Sequence, residues 1–188
     1  MILLGCGQLD THDYSIDTED WSPTEIVDGV PIYSNVGDKE RCAIHVGNRI
    51  AEQLYGIPCI YPHIKYVQFL HSPDDRIPEI CTPDGCASVW RDLPQIETVA
   101  SARPGYDGYT FRLTYVFVGV YPEWKEHFLF DTYIHEALDH GLMRLPNHDR
   151  AFDQAHEKHV HAAWEILRMN DLSVCQGWDH WSLNWILP

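Results

Sequence analysis

Apolar positions along the chain switch between helical and alternating periods, and each switch marks a predicted element. Ala43, Ile44, Gly47, Ile50, Ala51 and Leu54 recur at helical spacing. With Asp38 as N-cap and Gly56 followed by Pro58 closing the segment, they predict a first helix over 38–54. Between Pro62 and Pro73 the period falls to two, with Ile64, Tyr66, Gln68 and Leu70 alternating with Lys65, Val67 and Phe69, so a strand follows. A short strand is expected near 96–102 and a turn over 103–108. The β-branched and aromatic run from Tyr109 to Val120 reads as one long strand. After Pro122 the helical period returns through Phe130, Ile134, Ala137, Leu138, Gly141 and Leu142 until Leu145-Pro146-Asn147 breaks it. A further helix over 149–169 carries Phe152, Ala155, Val160, Ala163, Trp164 and Leu167 on its buried face.

The two ends lack such periods. Residues 1–37 read as an irregular acidic arm with an apolar start and one short strand at Val30 to Tyr33. Residues 170–188, with Trp178, Trp181 and Trp185, read as a tail that covers a modest core. The order helix, about three strands, helix, helix predicts a single α+β domain over 1–188, its helices stacked on one mixed or antiparallel sheet.

At 188 residues and 45% hydrophobic the chain can bury a core. Its net charge of −15, from 28 acidic and 13 basic residues with no basic cluster, disfavours direct nucleic-acid contact and binding to anionic membranes. No apolar run approaches the roughly 20 residues of a spanning helix. Six cysteines in a chain of this size without an export signal predict reduced thiols and a cytoplasmic protein. Cys81 and Cys86, spaced C-x₄-C across a turn, are two loop cysteines, a disulfide or half a metal site. A Cys-His hydrolase built on Cys42 or Cys175 has no local context to support it, and no nucleophile elbow, P-loop or dinucleotide-binding glycine pattern is present.

Seven of the twelve histidines fall between 127 and 161. The most informative run is His135-Glu136-Ala137-Leu138-Asp139-His140, on a helix. Residues four apart share a helical face, so His135 and Asp139 can reach one metal ion, an imidazole nitrogen with a carboxylate oxygen. Glu136, beside them, is placed to take a proton from an activated water. His140 lies about 100° further round an ideal helix, and a local π-bulge would bring it into line. His156, His159 and His161 read as surface residues, as an ordinary His-rich solvated face would be.

These residues resemble the zincin metallopeptidases, whose signature is HExxH on a helix after an edge strand. Asn147-His148-Asp149-Arg150-Ala151-Phe152 looks like the segment that supplies the third zinc ligand in the SprT-like, WLM and YgjP-type branches, with Phe152 packing the start of the next helix. The resemblance spans roughly 109–168 and departs from the family at position 139, where Asp replaces the second histidine, and in the longer spacing from His135 to His148. It implies a zincin-like fold, one Zn²⁺ held by His135, His148 and Asp139, Glu136 as catalytic base, and a peptide or protein substrate. The strand ending near Val120 would offer its edge to an extended peptide, and Tyr133 or the acidic arm would help hold the oxyanion. Glu157 competes with His148 as third ligand, by likeness to the gluzincin branch. Two further readings stand beside this one: a catalytically degenerate zincin-fold binding protein, and a metal-free acidic interaction protein.

Overall fold

The computed structural model describes residues 15–17, 21–61, 63–72, 74–82, 85–89, 108–111, 115–120, 126–145, 148–169 and Cys175. The apolar start of the arm, the expected strand near 96–102, the turn at 103–107 and the tryptophans of the tail lie outside them. The chain is α+β and falls into two compact units.

The smaller unit is a three-stranded antiparallel sheet of β1 (Ser15–Asp17), β5 (Arg76–Thr82) and β6 (Gly85–Val89), in the order β1-β5-β6. Cys81 and Cys86 face each other across the β5–β6 register and form a disulfide, their Cα atoms 4.0 Å apart. They are therefore neither free loop thiols nor thiolate ligands.

The larger unit holds a five-stranded mixed sheet where about three strands were expected. Its order is β2 (Glu25–Val27), β3 (Val30–Ile32), β4 (Tyr66–Leu70), β8 (Tyr115–Gly119) and β7 (Gly108–Phe111). The central pairs β3–β4 and β4–β8 are parallel, and the outer pairs are antiparallel. Two hairpins account for the extra strands. Asp28 and Gly29, both at positive φ (50° and 83°), turn β2 into β3, the Asp-Gly signature of a two-residue hairpin. The expected long strand from 109 to 120 is instead the antiparallel pair β7–β8, in which Phe111 faces Tyr115. Of this pair β7 is at a sheet edge and β8 lies between β4 and β7, so the strand ending near Val120 has no edge to offer.

Helix α1 (Asp38–Tyr55) has Gly37 as its N-cap, one residue before the expected Asp38, because Glu40 folds back to accept the Gly37 N–H at 2.9 Å. Gly56 closes it in the left-handed conformation at φ 69°. Helix α2 (Glu126–Tyr133) runs directly into a π-helix (Ile134–Leu142), and α3 (Arg150–Met169) follows. Alternation on the strands sends Val67, Phe69, Val116 and Val118 into one core with Ile44, Ile50, Phe130, Ile134, Leu138, Val160 and Ile166. The helices meet at close range: a Cβ on Gly47 of α1 would stand 2.8 Å from the Tyr133 ring.

Cys42 of α1 is bonded to Cys175, their Cα atoms 5.1 Å apart. The expectation of reduced thiols fails for four of the six cysteines, because one pair meets across the β5–β6 hairpin and the other, 133 residues apart, meets in the fold. Disulfides persist in oxidising compartments, so cysteine usage no longer points to the cytoplasm. Among the described residues no helix is long and apolar enough to cross a membrane.

Candidate metal centre

The site is built where α2 becomes a π-helix. A π-turn bonds residue i to i+5, and here the Met143 N–H reaches the Leu138 carbonyl at 2.8 Å. Stacking residues five apart brings His140 over His135, which an α-helix would not do. The Nε2 atoms of these two side chains are 3.1 Å apart. His148 joins them from the segment before α3, its Nε2 3.0 Å from that of His135. Asp149 holds His148 there by capping α3, its Oδ1 accepting the N–H groups of Ala151 (2.9 Å) and Phe152 (3.1 Å).

Imidazole nitrogens facing one another pose a hydrogen-bonding problem. The His140 Nδ1 faces the Leu145 carbonyl at 2.5 Å, and a carbonyl only accepts, so Nδ1 carries a proton and Nε2 is the nitrogen turned toward His135. His135 Nε2 has one proton or one lone pair, yet it faces two nitrogens. A proton serves one of these contacts; a cation serves both. Tetrahedral nitrogen ligands at about 2.0–2.1 Å from zinc lie about 3.3 Å from one another, a few tenths longer than the separations seen here. The donor set therefore fits a metal ion. Phe152 closes one side, its ring centroid 4.7 Å from those of His135, His140 and His148, while His148 itself is exposed. That gives a dry wall on one side and an open approach on the other.

Glu136 is 1% exposed. Its Oε2 lies 2.5 Å from the Thr110 hydroxyl of edge strand β7, which is also 2.9 Å from the Glu136 carbonyl, and its Oε1 is 3.9 Å from His135 Nε2. The carboxylate is thus oriented from the sheet, with Oε2 toward Thr110 and Oε1 on the side of His135.

Asp139 is brought within reach of His135 as well: the ligand atoms of His135, Asp139 and His156 lie within 4.8 Å of one another, and these groups too can hold a metal ion. Its surroundings differ, however. Asp139 is fully buried, with Oδ2 accepting from His156 Nδ1 at 2.6 Å and Oδ1 from His159 Nδ1 at 2.5 Å. Tyr55 donates its hydroxyl to His159 Nε2 at 2.6 Å, and His156 Nε2 donates to Asp131 at 3.1 Å. Burial alone would lower the His156 pKa; the hydrogen bonds to Asp131 and Asp139 outweigh it and push it up to about 10. Burial, with the Asp139 charge behind it, pushes the Tyr55 hydroxyl up.

His159 is therefore a buried partner of an acid and His156 a half-buried one, where surface residues were expected; His161, exposed, faces Glu165 at 3.8 Å. The periodicity contained the signal, since both follow Phe152 on the stripe that continues to Val160 and Ala163. Glu157 is on the exposed face of α3 and outside the cluster. Tyr133 is buried against Phe69 and Gly47 in the core, so it does not serve an oxyanion. Comparison with protein-family models, with curated proteins and with solved structures finds no match.

Proposed function

We propose that the protein is a zinc-dependent peptidase of zincin type, with His135, His140 and His148 as ligands and Glu136 as general base. The observation that carries this reading is the convergence of three Nε2 atoms, 3.0 and 3.1 Å apart, beside a buried carboxylate. Imidazole nitrogens suit zinc and other transition metals over the oxygen-seeking magnesium and calcium ions, and a three-histidine set leaves a fourth position open. In support, the ligand helix follows a mixed sheet whose antiparallel edge strand supplies the residue that orients Glu136.

When bound, zinc supplies polarisation of a carbonyl and acidification of water. Glu136 Oε1 takes the proton from the attacking water and returns it to the leaving amine. The Thr110 hydroxyl holds the other oxygen, so the carboxylate does not turn away. An extended peptide would add to the open edge of β7 through its backbone. Asp139 serves the fold in this scheme, not the ion.

Mass spectrometry of protein purified without chelator or added metal should find one zinc per chain, lost in His135→Ala, His140→Ala and His148→Ala. Cleavage of a mixed peptide library by the wild type should fall at least about a hundredfold in Glu136→Gln. Absence of zinc from the wild type, even after zinc is added, would refute the reading; zinc without cleavage would refute its catalytic half.

A further inference from the structure

Resting on the metal reading above, we propose that His156 is a positioning residue: its ring straps the ligand helix to α3 on both sides of His135 and sets the place of that ligand. Asp131 and Asp139 stand four residues before and four after His135, so all three share one stripe of the helix. His156 reaches both acids at once, with Nδ1 on Asp139 (2.6 Å) and Nε2 on Asp131 (3.1 Å). Its ring crosses that of His135 edge-on, with centroids 5.5 Å apart. The strap thus spans the junction where α2 ends at Tyr133 and the π-helix begins at Ile134.

That junction is where ligand geometry is decided. Moving one hydrogen bond from the π to the α pattern would rotate His140 away from His135, so the wide turn needs restraint from outside the helix. Asp139 cannot swivel, because its second oxygen is taken by His159, itself held by Tyr55. Asp131 depends on His156 in turn: it is 4% exposed and its Oδ2 has no hydrogen-bond partner among the described residues. Since α3 carries His156 and its cap Asp149 directly follows His148, one helix positions two ligands relative to each other.

A rival use of the same atoms is a second cation held by His135, Asp139 and His156. Both oxygens of Asp139 already accept N–H protons, and a cation there would displace one of them. Stoichiometry separates the two cases.

The test compares wild type, His156→Ala, His156→Gln and Asp131→Asn, reading Zn²⁺ affinity by competition with a chromophoric chelator and ligand geometry from the visible absorption of bound Co²⁺, well below the unfolding temperature. His156→Ala and Asp131→Asn should each bind one zinc about 10–100-fold more weakly, with an altered cobalt spectrum, and His156→Gln, keeping one donor, should fall between. Glu157→Gln, exposed on the same helix, should match the wild type. Wild-type affinity and spectrum in His156→Ala would overturn the strap and leave the metal site standing. Two zinc ions per wild-type chain would overturn it as well, and no zinc in the wild type would overturn the metal reading beneath it. Should His156→Ala fail to fold, Asp131→Asn decides by the same measurements.

Discussion

Two groups of imidazoles meet the same π-helix, and they are wired in opposite senses. In one, His135, His140 and His148 turn ring nitrogens toward each other beside the Glu136 carboxylate, and His140 donates its Nδ1 proton to the Leu145 carbonyl. In the other, His156 and His159 turn protonated nitrogens toward the carboxylate of Asp139. The first is a set of nitrogens that could hold a cation; the second is a set of donors matched by an anion. Histidine alone specifies neither. What decides is the partner across the ring, a carbonyl in one case and an aspartate in the other.

The comparison is broken most severely by removing the anion. Asp139→Ala leaves one buried and one half-buried donor unmatched and should cost about 3–5 kcal/mol in urea unfolding, a loss that no added zinc restores in full. Next comes the cation: stripping zinc with a chelator should lower stability by about 3 kcal/mol relative to protein at a hundredfold excess of zinc over its Kd. The unfolding midpoint of His148→Ala should not respond to the chelator.

The turn that separates the two groups is tested by Gly141→Ala. The added methyl would collide with the Ile64 side chain and should cost about 1–3 kcal/mol in the same unfolding experiment. The gentlest test is pH. The folded-state pKa of His156, raised from 6.5 to about 10, contributes stability that is complete below about 6.5 and is lost as pH rises through about 10. Unfolding free energy should decline over that window by no more than about 1.4 kcal/mol per pH unit from this group. In Asp131→Asn the decline should flatten, since the hydrogen bond that raises the pKa is weakened.

Much of this arrangement was legible in the amino-acid pattern, where the deciding forces are local. Helix α1, strand β4 and helix α3 follow from periodicity and from the stops at Gly56 and Pro146. The nearness of His135, Glu136 and His148 was expected from motif spacing. The choice between Asp139 and His140 was not, because an α-helix and a π-helix differ by one hydrogen bond and the balance lies with Ile64 over Gly141 and with α3 beneath Asp139. His156 and His159 look like surface residues until Asp139 is known to be buried; their position on the apolar stripe of α3 was the available sign. The division of residues 109–120 into two strands was hidden by an unbroken β-prone composition. The pairing of Cys42 with Cys175 has no local signature at all.

That last bond has a topological consequence. Thr110, His135, Glu136, Asp139, His140, His148, His156 and His159 all lie between Cys42 and Cys175, which are 133 residues apart. The whole candidate site is therefore drawn on a covalent macrocycle. Closing a ring of that length removes about 5 kcal/mol of freedom from the unfolded chain. A protease that nicks any loop of the ring opens a circle without parting the pieces, and the two fragments stay together until the disulfide is reduced.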